Sequence, residues 1–195
     1  MGTSTTTRNF GMRRFANLVR ESRFRAPATA LRLGIAVEID VASTTEPQTV
    51  REASTTNTLG GGGTAGVTKK MGILWYEHDA QTLEGLAAGI LAQDHDFAEP
   101  GRMVQMLHGP GAKVWFRNTE ADTPEAGLNF PNTRDEVVMV ANLGFHGAGD
   151  LAVDDLLAWD ATNNYWAVTA VVAEAFLRVT HVNHDSNTCD AEILR

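Results

Sequence analysis

The sequence predicts a mainly β protein with a minor α component: a small β-barrel or sandwich body preceded by an extended basic arm. Three observations point there. Short apolar segments, several alternating with period two, recur along the chain between Gly, Pro, Asn and Asp turn signals. The 195 residues, 43% apolar and 21% charged, suffice to bury a sizeable core and do not have the composition of a disordered chain. Charge is split along the chain: residues 1–32 hold seven arginines against the single acid Glu21, a balance of +6, while the remainder carries −14 of the total −8.

Residues 1–9 have little to bury and are expected to be extended unless a partner orders them. Over residues 10–24, Phe10, Met12, Phe15, Leu18 and Val19 fall near helical spacing, with Arg13, Arg14, Arg20 and Arg23 between them. That spacing predicts a short amphipathic helix, ended at Pro27. The arm is thus residues 1–32, an extended tail plus a helix, and the β-rich body is residues 33–195.

Strand patterning begins at residue 33. In residues 33–41, Val37, Ile39 and Val41 share one face while Glu38 and Asp40 take the other. A second strand is predicted over 48–53, a Gly-rich flexible loop over 54–66 and an apolar strand over 71–76. Leu83, Leu86, Ala87, Ile90 and Leu91 have the spacing of a helix face, with Asp79 or Thr82 able to cap its start. Strands over 102–107 and 113–117 flank a Gly109-Pro110-Gly111 turn; a loop over 118–134 and a strand over 136–143 follow. The C-terminal part reads as consecutive hairpins. Residues 156–160 return over 165–172 through Asn163 and Asn164, and 175–182 pair with 188–194 across the turn 183–187.

Composition also bounds function. No apolar run is long enough for a transmembrane helix, and the N-terminus lacks the apolar stretch of a secretory signal. Cys189 is the single cysteine, so no internal disulfide is expected. The net charge disfavours wholesale binding of nucleic acid or an anionic membrane.

Each chemical motif has a plainer alternative that fits better. Gly60-Gly61-Gly62-Gly63 lacks the following helix and the Lys-Ser/Thr pair of a phosphate loop, and the glycines of residues 144–149 lack the GxGxxG order. His181, His184 and Cys189 fall short of a zinc set, and Cys189 has no cationic neighbour in sequence to activate it. Glu77-His78-Asp79 and Asp94-His95-Asp96 bracket the second helix and read as solvated helix ends. No serine stands in a Gly-x-Ser-x-Gly elbow. No catalytic residue, cofactor site or metal site is therefore expected. Trp75, Trp115, Trp159 and Trp166, each in or beside a predicted strand, read as core or oligomer-interface residues.

The segment Asp154-Asp-Leu-Leu-Ala-Trp-Asp-Ala-Thr-Asn-Asn-Tyr-Trp-Ala-Val168 resembles a hairpin of the capsid decoration, or head-stabilising, proteins of tailed bacteriophages. Leu33-Gly-Ile-Ala-Val-Glu-Ile-Asp40 and Ala65-Gly-Val-Thr-Lys-Lys-Met-Gly-Ile-Leu74 resemble the barrel of the same proteins. The resemblance spans roughly residues 33–118 and 150–194. It implies a β-tulip-like body, no enzymatic activity and a place on the outer surface of a virion. The implied partners are the phage major capsid protein and further copies of the chain as a homotrimer, with neither membrane nor direct nucleic-acid contact. In that setting the arm is the expected capsid contact. Arg8, Arg13, Arg14, Arg20, Arg23 and Arg25 would meet carboxylates, and Phe10, Phe15, Leu18 and Phe24 would fill an apolar groove. A tail or connector component, and a carbohydrate-binding module or hydrolase using the acidic loops and tryptophans, are the alternatives.

Overall fold

The computed structural model describes residues 10–14, 17–25, 31–40, 48–53, 71–75, 97–98, 103–118, 138–144 and 147–195. These residues form thirteen strands and no helix. They are β1 (Phe10–Arg14), β2 (Val19–Arg25), β3 (Leu31–Arg32), β4 (Ala36–Ile39), β5 (Val50–Glu52), β6 (Met71–Trp75) and β7 (Phe97–Ala98), followed by β8 (Met103–His108), β9 (Lys113–Arg117), β10 (Leu156–Asp160), β11 (Tyr165–Val168), β12 (Leu177–Asn183) and β13 (Thr188–Ile193). Six strands make one sheet in the order β1-β9-β13-β12-β10-β11, five make a second in the order β2-β8-β6-β4-β5, and β3 pairs with β7. Every strand pairing is antiparallel.

Two corner connections knit the sheets together. β1 and β9 are neighbours in the six-stranded sheet, while β2 and β8 are neighbours in the five-stranded one, so both the β1–β2 and the β8–β9 connections cross from sheet to sheet. The corners stack. Asn17 turns the first with φ 62°, Gly109 and Gly111 turn the second with φ 119° and 84°, and a Cβ on Gly109 would stand 2.0 Å from the Asn17 carbonyl oxygen. Only glycine meets both demands at position 109.

This overturns the N-terminal helix. Residues 10–14 and 19–25 are edge strands of the two sheets, and Phe10 and Phe24 are buried, at 3% and 7% exposure. The near-helical spacing of Phe10, Leu18 and Val19 comes from residues on either side of the Asn17 corner. A register shift in each strand, between Met12 and Arg14 and between Ser22 and Phe24, breaks the period-two alternation that marks a strand in sequence. Residues 10–25 therefore belong to the body. The second predicted helix and the Gly-rich loop lie outside the described residues.

One hydrophobic cluster spans both sheets. Its spine is aromatic. Phe10 meets Trp75 edge-on at 5.8 Å between ring centroids and Phe116 at 5.2 Å; Trp166 meets Phe116 at 6.3 Å, Trp159 at 5.2 Å and Phe176 at 5.9 Å. Such rings supply about 0.5–1.5 kcal/mol per pair beyond the area they bury. The two indole N–H groups at the centre also tie elements together. Trp166 Nε1 donates to the Gly34 carbonyl at 2.9 Å, and Trp159 Nε1 donates to Glu52 Oε1 at 3.1 Å. Trp75, Trp159 and Trp166 are thus core residues; Trp115 is half-buried.

Glu38, although charged, is fully buried, and its Oε1 accepts from Arg51 Nη2 at 2.6 Å and Nε at 2.7 Å across the β4–β5 pair. One further expectation changes. Residues 138–143 are not a strand but a turn with one parallel bridge, Val140 to Trp166. The reason is Asn118. Its Oδ1 accepts from the Met139 and Val140 N–H groups at 2.8 and 3.1 Å, and its Nδ2 donates to the Val140 and Leu143 carbonyls at 2.8 and 3.1 Å. A buried side chain thereby takes the backbone groups a ladder would have used. The C-terminal hairpins stand as expected, except that the return strand ends at Val168.

Candidate functional site

The register of the six-stranded sheet sorts its loops into two ends. Lys113, Glu192, Arg178 and Leu156 lie in one row across β9, β13, β12 and β10, and Val168 pairs with Leu157 one position further along. Beyond that row on one side lie the 109–111 corner, the C-terminal residues and the 160–164 turn, with the 169–175 segment joining β11 to β12, while the 151–155 turn runs the other way alongside Val179. Hydrogen bonds hold these together: Gly109 N–H donates to the Arg195 carbonyl at 3.2 Å, Gly111 N–H to that of Ile193 at 2.8 Å and Thr169 N–H to that of Leu156 at 2.8 Å. The Arg195 guanidinium reaches across and donates to the Val172 and Ala173 carbonyls at 2.9 and 2.8 Å. The 169–175 turn is further closed by Val171 N–H on Thr169 Oγ1 at 3.1 Å and Glu174 N–H on the Val171 carbonyl at 2.9 Å.

Among the described residues six valines are exposed, Val19, Val138, Val153, Val168, Val171 and Val172; Val172 reaches 69% exposure and Val153 54%. Val168, Val171 and Val172 belong to one short segment in which Ala170 and Ala173 are also exposed, whereas Val19 adjoins Gly109 at the stacked corners and Val153 lies in the turn before β10, on the other side of the row. Single exposed aliphatics are ordinary, so the 168–173 segment is the candidate contact surface.

Two polar turns, 160–164 and 183–187, close on themselves at opposite ends of the sheet. Asp160 accepts from the backbone N–H groups of Thr162 and Asn163 at 2.9 and 3.2 Å and from Asn163 Nδ2 at 2.7 Å, and these bonds, led by the last, hold its carboxyl below the usual value. Asn164 and Asn187 supply left-handed turn positions with φ of 59° and 52°. Asn183 Oδ1 accepts from Ser186 N–H at 3.1 Å.

Other clusters serve the fold. Glu52 sits where β5 meets the β10–β11 hairpin. Burial pushes its carboxyl above the usual range against the opposing pull of Trp159 and Arg32, and the Asn164 amide nitrogen donates to it at 2.7 Å. On the outer face of the sheet, Arg13 Nε contacts Asp190 Oδ1 at 3.1 Å while its guanidinium lies 5.7 Å from the Trp115 ring centre. Trp115 also leans on Gly11, where a Cβ would stand 2.2 Å from its Nε1. That ring packs on the edge strand β1, with Arg13 beside it. Cys189 is buried and its thiol is pushed up to about 12 by burial and the neighbouring Asp190; His181 lies exposed on β12 and His184 half-buried in the following turn. Among the described residues no three His, Cys, Asp or Glu side chains are grouped to hold a metal ion, and no helix is long and apolar enough to cross a membrane.

The residues expected to contact a capsid are dispersed. Phe10 and Phe24 fill the core, Leu18 packs half-buried against it, Arg13 pairs with Asp190 and Arg25 is exposed. Arg14, Arg20 and Arg23 are strand residues whose side chains lie outside the described part, as do Arg8, Phe15 and the two acid-His-acid motifs. Sequence reasoning missed the exposed valines of residues 168–172. Their signal was the run Val168-Thr-Ala-Val-Val-Ala173, too uniformly apolar for an alternating strand. No family model, curated protein or solved structure matches the chain.

Proposed function

We propose that this protein is a structural component of a tailed-phage virion, which binds the outer surface of the capsid and cements neighbouring coat subunits. The observation that carries the reading is the exposed apolar segment 168–173, with Val168, Val171 and Val172 open on a body whose hairpin turns satisfy their own polar groups. An exposed apolar segment suits attachment to a surface. The resemblance of residues 154–168 to decoration proteins points the same way. Phe10 and Phe24 hold the body together, so the apolar groove-filling assigned to them passes to the valines, while the tail with Arg8 remains a second contact with the major capsid protein. In this reading the protein works as a homotrimer, without turnover and without a cofactor.

The test is quantitative mass spectrometry of purified virions. Hundreds of copies per particle support decoration, because a closed lattice repeats one site many times. A dozen copies or fewer would make the chain a tail or connector component, and its absence from particles would refute a virion role.

A further inference from the structure

The two sheets meet at a half-buried carboxyl. Glu52 ends β5, an edge strand of the five-stranded sheet, and its Oε1 accepts from Trp159 Nε1 at 3.1 Å and from the Asn164 amide nitrogen at 2.7 Å, with Oε2 3.3 Å from that nitrogen. Trp159 lies on β10 and Asn164 in the turn that leads into β11, so this one side chain ties β5 to the hairpin. Among the charged groups around it, Arg32 on β3 acts on Glu52. Glu38 and Asp40 on and beside β4 pair with Arg51 on the other strand face, and Asp160 on β10 accepts from its own turn. The partners of Glu52 differ in one respect. An indole N–H and a guanidinium only donate, whereas a carboxamide donates through nitrogen and accepts through oxygen. An ionised Glu52 accepts from all of them. A protonated Glu52 must itself donate, and of these groups Asn164 alone can receive. Turning its amide over places Oδ1 where Nδ2 stood, with the backbone unmoved. The ionised carboxyl also carries a desolvation cost that opening the joint would relieve, and the neutral carboxyl does not. The closed joint therefore holds the proton more tightly than an open one, in line with the raised carboxyl, and protonation favours closure.

We infer that Glu52 and Asn164 form a proton-operated clasp between the two sheets, in which the Asn164 amide reverses as the carboxyl gains or loses its proton. With Glu52 ionised, the amide nitrogen donates to it. With Glu52 protonated, Oδ1 accepts the carboxyl proton and the β10–β11 hairpin is held more firmly against β5. Trp159 Nε1 donates to the carboxyl in both states, and the proton comes from solvent. On acidification the clasp tightens before Asp160 releases its turn, because Glu52 titrates above the ordinary 4.5 and Asp160 below the ordinary 3.8. β11 runs directly into the exposed 168–173 segment, so the clasp sets how firmly the strand leading into that segment is held.

The experiment is an NMR titration of the isotope-labelled full chain from about pH 7 to about pH 4, with hydrogen exchange measured at both ends. It compares wild type with Glu52→Gln, which is neutral throughout yet keeps a donor and an acceptor, and with Asn164→Gly, which tolerates the left-handed φ of 59° but lacks the amide. Thermal melting checks each fold, and either variant suffices should the other fail to fold. In wild type the Trp159 indole and Asn164 carboxamide resonances should follow one titration with a midpoint above 4.5, and the carboxamide protons should lose their hydrogen-bonded shift on the acid side. The backbone N–H of Asn164 bonds to the Asp160 carbonyl at 2.8 Å. Its protection, corrected for intrinsic exchange, should rise about threefold or more with acid. Glu52→Gln should show no such titration and the higher protection at both ends, and Asn164→Gly should lose the acid gain. A wild-type carboxamide that ignores the Glu52 titration, or protection that does not rise with acid, would overturn the clasp. So would an acid gain that survives in either variant.

Discussion

Replacing Asn118 by leucine removes four buried hydrogen bonds while keeping most of the volume. Two N–H groups and two carbonyls of residues 139–143 lose their partner together. A typical net contribution is about 0.5–1.5 kcal/mol per bond, and a buried group left unpaired costs about 1–3 kcal/mol. Water will reach part of the turn, so the expected loss is about 3–5 kcal/mol, a large share of the roughly 5–15 kcal/mol that holds a domain folded. Asn118→Asp separates the two halves of the effect. Its carboxylate still accepts from Met139 and Val140 but turns an acceptor toward the Val140 and Leu143 carbonyls. Protonating it restores one donor, so this variant should regain stability on acidification relative to wild type. The assay is urea unfolding at two pH values, with hydrogen exchange followed at the Met139 and Val140 amides. A loss under about 1 kcal/mol for the leucine variant, with exchange unchanged at those two amides, would refute the argument that Asn118 organises this turn.

The Cys189 thiol, pushed up to about 12 and buried, should resist an aromatic disulfide reagent at pH 8 in the folded protein and react at once in denaturant. Glu52 has a raised carboxyl, so the folded chain holds that proton more tightly than the unfolded chain. Its contribution to stability is complete below the ordinary value of 4.5 and declines as pH rises through the window up to the raised folded value; Glu52→Gln should remove that decline in melting temperature measured across the window. Gly109→Ala places a Cβ 2.0 Å from the Asn17 oxygen at a left-handed φ, and should lower unfolding free energy by about 2 kcal/mol or more in a denaturant titration.

Legibility in the sequence tracked how local each structural cause was. The C-terminal hairpins were readable because their turns carry their own instructions: Asn164 and Asn187 take left-handed positions, and Asp160 binds the loop that follows it. The Gly109-Pro110-Gly111 corner was readable for the same reason. Residues 138–143 were misread because what shapes them is Asn118, some twenty residues earlier. Glu38 carried the pattern of a solvated position, and only the strand pairing that brings Arg51 alongside makes its burial tolerable. β1 and β2 were hidden by their bulges and by Gly11, whose missing side chain makes room for Trp115. The exposed run 168–173 was the least legible feature. Its exposure comes from its lying largely in the connection between β11 and β12, and the same run of residues within a buried strand would have been ordinary core.

The two corner connections have a consequence for how the chain reaches its fold. β1 cannot pair until β9 has been made, about a hundred residues later, and the same holds for β2 and β8. Such separations place the protein among slow folders, since long loops must close before the pairing that rewards them. They also forbid either sheet from melting alone, because unzipping β1 from one sheet pulls through the Asn17 corner on β2 in the other. Truncation from the N-terminus past residue 10 should therefore not trim an appendage but release an edge strand from both sheets at once, yielding a chain that is either fully folded or collapsed as a whole.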